Sequence, residues 1–225
     1  GKTAINFRKT VNAIGSYHHP KVVLIDTKVL SELPSREISS GVGEIIKYGL
    51  LGCNKIIDLL ADKNFNFSDK IGELVELSLR EKESFVKGDI QETQNRLYLN
   101  FGHTIGHAIE FSTIFNGEES LRHGEGVGLG MIAGIRIGIQ LGDLSENDLG
   151  MLKALLTKFM LPISFNASKL GLRREYLVDT VVNLCFKDKK RTISDMWLIL
   201  QKDIEKPFIY KTSDRELIAQ GVMEA

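Results

Sequence analysis

Apolar positions along this chain recur mostly at helical intervals, three and four residues apart, from Pro34 onward. Between about Ser40 and Leu60, Ile45, Ile46, Leu50, Ile57 and Leu60 predict a helix, with Gly49 and Gly52 marking a break. Residues 69 to 87 place Ile71, Leu74, Val75, Ser78 and Phe85 on one stripe, with Arg80, Lys82 and Lys87 toward the end that favours cations. After the polar loop GDIQETQN a further helix is expected to start near Arg96. A turn at FNGEES precedes HGEGVGLGMIAGIRIGIQLG, where Gly126, Gly130, Gly134 and Gly138 recur every four residues. Glycine costs about 1 kcal/mol per helical position relative to alanine, so this stripe implies close helix approach at a crowded centre.

Ser145-Glu-Asn-Asp148 reads as a capping box opening a helix through Leu149, Leu152, Leu155, Leu156 and Phe159, which Pro162 stops. Another helix runs through Tyr176, Leu177, Thr180, Val181 and Leu184, and Ser213-Asp-Arg-Glu216 caps a last one. Three short runs read as strands instead: KVVLID at 21 to 26, MWLILQK and PFIYKT. The expected fold is mainly α, a multi-helix bundle with a few short β-strands.

Composition narrows this picture by exclusion. The 225 residues carry 29 basic and 29 acidic side chains, so no net field collects nucleic acid or anionic lipid, and any positive site is local. The longest apolar stretch, Val127 to Leu141, is interrupted by Arg136 and falls short of the roughly 20 residues of a membrane span. Cys53 and Cys185 lack metal-type spacing and fit core positions in a reducing, cytoplasmic setting. The first residues, GKTAINFRKT, carry neither a signal-peptide pattern nor an initiator methionine, as expected for a piece of something longer.

The candidate chemistry centres on LNFGHTIGHAIE, residues 99 to 110, where His103 and His107 share one helical face. With His123 they are three of five histidines in the chain. A catalytic zinc takes three ligands from His and carboxylate and keeps a fourth position open. Glu44, on an otherwise small and apolar face, is one candidate carboxylate, because burying it unpaired would be costly; Glu125 of HGE is the other. A metalloprotease reading fails, since Thr104 stands where HExxH has its glutamate. HGEGVGLG lacks the strand before it and the acidic residue after it that a dinucleotide fingerprint requires. Lone histidines on apolar faces are usually packed core residues, and single cations usually solvated surface. Here the spacing argues otherwise: Lys47 falls one turn after Glu44, and Arg96 and Asn100 lie seven and three residues before His103. Carboxylate, imidazoles, amide and cations on one cavity suit an anionic, hydroxylated substrate whose oxygens a metal polarises.

GKTAIN, Asn12, HHPKVVLID, LPSRE, GEIIKYG, RLYLNFGHTIGHAIE and HGEGVGLGM resemble, in order and spacing, the second half of 3-dehydroquinate synthases. The resemblance implies conversion of 3-deoxy-D-arabino-heptulosonate 7-phosphate to 3-dehydroquinate and phosphate in the shikimate pathway of aromatic amino acid biosynthesis. In that family NAD transiently oxidises a ring hydroxyl, phosphate leaves, the NADH re-reduces, and ring opening precedes an intramolecular aldol closure. It further implies Glu44, His103 and His123 as ligands of Zn2+, or of Co2+, which fits the same donors. Lys47, Lys82, Arg96, Asn100 and His107 then belong to the catalytic set, and Lys2, Asn12 and one of Lys189 and Lys190 to the substrate-binding set. Glu92 occupies an acidic family position, while Val11 stands where the family usually has lysine. A homodimer is also implied.

On the same resemblance, residues 1 to 35 are the tail of an NAD-binding domain whose glycine-rich phosphate loop is missing, and 36 to 225 form the metal- and substrate-binding domain. The expectation is a fragment that binds metal but does not turn over. The rival readings are another sugar phosphate cyclase (a 2-deoxy-scyllo-inosose or valiolone-type synthase), a metal-dependent polyol dehydrogenase, and a non-catalytic scaffold. Arg96, Asn100 and His107 favour an acid substrate over the first. The Glu44 motif and GHTIGHA argue against the second, and the retained polar set against the third.

Overall fold

The computed structural model describes residues 2–7, 10–114, 121–165, 173–186 and 196–225, with the backbone alone at 2, 6, 10–12 and 17. The chain divides into two compact units, Gly1–Glu32 and Leu33–Ala225.

In the first unit, strands β1 (Lys2–Phe7) and β2 (Thr10–Tyr17) form an antiparallel hairpin, a pairing the hydrophobic pattern did not predict. Its register runs from Lys2 opposite Tyr17 to Phe7 opposite Thr10, with an irregularity between Ile5 and Phe7. The strand expected at 21 to 26 does not form. A strand needs a ladder partner for its backbone groups. Among the described residues nothing pairs with this segment, and Val22, Val23 and Leu24 are 70%, 66% and 91% exposed. A 3₁₀ segment, Thr27–Glu32, follows.

The second unit is helical, as the 3.6-residue periodicity predicts. Helix α1 (Ser35–Leu51) ends at Gly52, whose N–H bonds back to the Tyr48 carbonyl, and α2 (Asn54–Ala61) follows, so the break falls at Gly52 while Gly49 lies buried within α1. Helix α3 (Phe67–Val86) starts with the Asn66 side chain accepting from the Ser68 N–H. The helix expected from Arg96 is corrected: Asn95–Asn100 is a 3₁₀ segment, and Gly102, at φ 76°, turns the chain before α4 (His103–Ser112) begins. The left-handed turn lets α4 lie against α5 (His123–Leu141), where a Cβ on Gly130 would fall 1.9 Å from the Gly102 carbonyl oxygen.

Helix α5 packs against α1, α4, α6 (Glu146–Lys158), α8 (Arg215–Glu224) and β3 (Met196–Gln201). It is buried nearly all round, from Gly124 to Gly138, as befits a helix with apolar residues on every face. Arg136, the one charge in its apolar run, reaches Glu146 and Glu224. The Ser145 capping box forms, the Ser145 N–H donating to Asp148 Oδ2 at 2.8 Å. The cap of α8 is Asp214 rather than Ser213: its carboxylate accepts from the Glu216 and Leu217 N–H groups. Helix α7 (Arg174–Phe186) packs on α4 and α8, and β3 pairs antiparallel with β4 (Pro207–Thr212). Cys185 is buried and Cys53 half-buried, and both are free. Among the described residues no helix is long and apolar enough to cross a membrane.

Candidate metal centre

Three helices, α1 and the consecutive pair α4 and α5, bring five polar side chains to one place. Glu44 comes from the middle of α1, His103, His107 and Glu110 from α4, and His123 from the first turn of α5. Glu44 Oε1 lies 3.2 Å from His103 Nε2 and 3.0 Å from His123 Nε2. Donors bound to zinc at about 2.0–2.2 Å in a tetrahedron stand about 3.3 Å apart, so this spacing fits a shared cation. One ligand atom from each of Glu44, His103 and His123 lies within 4.8 Å of the others, and the same holds for His107, Glu110 and His123. The rings of His103, His107 and His123 form a near-equilateral triangle, with centroids 5.3–5.4 Å apart.

The backbone around these residues is built for rigidity. A Cβ on Gly124 would meet the Ser40 carbonyl oxygen at 1.8 Å, and the Gly124 N–H donates to Ser40 Oγ at 2.9 Å, so α1 and α5 touch beside the site. Two ion pairs tie the same helix ends. Arg36 grips Glu125 with Nε and Nη2, both at 2.7 Å, and Arg122 Nε donates to Glu37 at 2.7 Å. The Arg122 N–H also donates to Glu125. Glu125, the competing carboxylate, is thereby committed to the helix start.

Lys47 is 3% exposed and donates to Glu44 Oε2 at 2.7 Å and to the Leu99 carbonyl at 2.9 Å. Burial pushes the Lys47 ammonium down, against the pull of Glu44. Burial also works against ionised Glu44, but His103, His123 and Lys47 outweigh it and hold the carboxyl far below the usual range. The carboxylates of Glu110 and Glu44, beside its two nitrogens, raise His123 to about 9. Partial burial lowers His107. Burial likewise pushes the Tyr48 hydroxyl, whose ring lies 4.9 Å from Lys47 Nζ, up to about 12.

The remaining sequence candidates are placed differently. Lys82 is exposed on α3, close enough for its charge to reach Lys47. Arg96 and Asn100 do not stack below His103 on one helix, because the 3₁₀ segment and the Gly102 turn intervene. Arg96 is buried and donates to the Ile90 carbonyl at 2.7 Å, and Asn100 donates to Glu92 at 2.9 Å. Lys2 and Asn12 lie on the β1–β2 hairpin, described there by backbone only, and Lys189 and Lys190 lie outside the described residues. Glu110 was not singled out in the sequence, although it follows His107 by three residues and His103 by seven, both helical intervals.

Residues 41–191 match the family model described as 3-dehydroquinate synthase C-terminal, and residues 1–40 the one described as 3-dehydroquinate synthase N-terminal. The chain belongs to the 3-dehydroquinate synthase family. Among curated family members, the 3-dehydroquinate synthase of Clostridium perfringens is 34% identical over 95% of this chain and 58% of its own length. That of Dictyoglomus turgidum is 35% identical over 100% of this chain and 61% of its own length. The chain thus spans about three-fifths of the 3-dehydroquinate synthases it matches. A crystal structure of 2-deoxy-scyllo-inosose synthase with carbaglucose-6-phosphate, NAD+ and Co2+ superimposes with TM-score 0.76 and 26% identity, over 99% of this chain and 61% of that one. A 2-epi-5-epi-valiolone synthase from Streptomyces hygroscopicus shares the fold at TM-score 0.75 and 24% identity, over 99% of this chain and 60% of that one.

Proposed function

We propose that this chain carries the metal- and substrate-binding part of a 3-dehydroquinate synthase, a cytoplasmic, homodimeric lyase that eliminates phosphate from 3-deoxy-D-arabino-heptulosonate 7-phosphate and closes the ring. The observation that carries the reading is the convergence of Glu44, His103 and His123 on one point, with buried Lys47 held against the same carboxylate. Glu44, His103 and His123 would hold a Zn2+ or Co2+ ion, which acidifies a substrate hydroxyl when bound. Lys47 keeps Glu44 ionised and its outer oxygen occupied, so the carboxylate turns Oε1 to the histidines. His107, on the rim and closer to neutrality than an ordinary imidazole, suits the exchange of a proton with a substrate oxygen. Lys82, Arg96 and Asn100, with Lys2, Asn12 and one of Lys189 and Lys190, are proposed as the groups that take the substrate's carboxylate and phosphate, for which cations and amides are suited.

The oxidant NAD is proposed from the inosose synthase relative. Among the described residues no strand, glycine loop and helix combine to cradle its pyrophosphate, so no residue of this chain is assigned to it. Residues 1 to 35 are proposed to belong with a dinucleotide-binding domain and 36 to 225 to form the helical one.

The deciding experiment pairs metal content with turnover. Glu44→Ala, His103→Ala and His123→Ala should each lose one equivalent of zinc, while His107→Ala keeps it. The full-length protein should release phosphate from the seven-carbon acid and not from glucose 6-phosphate, whereas a preparation limited to these 225 residues should bind zinc without releasing phosphate. Retention of zinc by the Glu44 variant, or preference for glucose 6-phosphate, would overturn the assignment.

A further inference from the structure

We infer that Glu110 is the outer partner of His123, fixing its imidazole so that Nδ1 carries the proton and Nε2 is left to face the metal; this rests on the metal centre proposed above. The two nitrogens of His123 face two different carboxylates, Nε2 at 3.0 Å from Glu44 Oε1 and Nδ1 at 3.3 Å from Glu110 Oε1. A ligating imidazole commonly gives its second N–H to a carboxylate or a backbone carbonyl, which sets both tautomer and ring angle. His103 is arranged that way, with Nδ1 3.0 Å from the Phe101 carbonyl oxygen. Glu110 completes the pattern for the second ring.

Two further observations single out this carboxylate. Its Oε1 is buried without a hydrogen-bond partner, a costly arrangement that a small turn of the His123 ring relieves. Room for it is made by Gly126, where a Cβ would stand 2.4 Å from Glu110 Oε1 and 2.5 Å from its Cγ. Helix α5 thus presents His123 and, three residues later, leaves the gap into which the partner of His123 fits.

The alternative is a second metal position on His107, Glu110 and His123, whose ligand atoms also lie within 4.8 Å of one another. Loading it together with the first would require His123 to give up both ring protons. The outer-partner role needs only one lost, so Glu110 is a positioning residue and not a ligand.

Zinc affinity, measured on the full chain by competition with a chromogenic chelator, tests the role, alongside stoichiometry and the visible spectrum of the Co2+ form. Glu110→Ala should bind one equivalent about 10- to 100-fold more weakly, with an altered Co2+ band. Glu110→Gln, which keeps an oxygen acceptor, should fall between it and wild type. Melting of both variants in chelator should match wild type, which separates positioning from folding, and if Glu110→Ala fails to fold the glutamine variant decides. Affinity in the foldable variants within twofold of wild type would overturn the inference. So would two equivalents in wild type with the second lost in Glu110→Ala. If wild type binds zinc and Glu44→Ala does not, the centre itself stands whatever the Glu110 variants do; no binding by wild type would remove both.

Discussion

Asp89 shows how one side chain can organise a loop that feeds the site. Its buried carboxylate accepts the N–H groups of Thr93, Gln94 and Arg96, at 2.9, 2.8 and 3.0 Å, together with the Thr93 hydroxyl. The Thr93 N–H is the largest influence lowering its pKa, opposed by burial and seconded by the Gln94 and Arg96 amides. A group depressed in this way contributes stability at pH values above the ordinary aspartate value of about 3.9, and loses it as pH falls through the folded value. The amides of Thr93, Gln94 and Arg96 should therefore be protected from hydrogen exchange at neutral pH and lose protection in acid. In Asp89→Asn the protection should be weaker at neutral pH and the acid dependence gone, and an unchanged exchange profile would refute this. At the same scale, the histidines, and Glu44 as one of two candidate carboxylates, could be singled out because their chemistry is rare on apolar faces. Arg96 and Asn100 were misplaced because spacing assumes an unbroken helix, and the turn at Gly102 depends on α5, which local sequence does not report.

Between elements, Gly130 of the α5 stripe and Gly150 on α6 are two different kinds of glycine. A Cβ on Gly130 would collide with backbone, at 1.9 Å from the Gly102 carbonyl and 2.7 Å from the Gly106 nitrogen, and backbone cannot step aside as a side-chain tip can. Gly150 on α6 has nothing within 4 Å of its added Cβ and is exposed. Gly130→Ala should destabilise by about 3 kcal/mol or more, overpacking outweighing its better helix propensity. Gly150→Ala should stabilise by about 0.5–1 kcal/mol. Urea unfolding of the two variants checks both signs, and a neutral Gly130→Ala would mean that α4 and α5 are not in backbone contact. The stripe and the Ser145 box were readable because they report local or strictly periodic needs. The β1–β2 hairpin was not foreseen, and a strand was expected at 21–26 where none forms, because strand formation depends on a partner and not on an apolar run.

For the molecule as a whole, the site is a junction, not a motif. Glu44 and His123 lie 79 residues apart, and the helices that bear them are joined by the Arg36–Glu125 and Glu37–Arg122 pairs and by the Ser40–Gly124 contact. An ion that binds only the assembled form stabilises it by RT ln(1 + [L]/Kd), about 2.7 kcal/mol at a hundred times Kd. Because the donors meet only after long loops have closed, the transition state for folding should not yet hold them together. The cation would then act as a lock fitted after the door has shut. In stopped-flow experiments zinc should leave the refolding rate unchanged and slow unfolding about 100-fold at that concentration, while a zinc-accelerated refolding phase would mean that α1, α4 and α5 gather around the ion early.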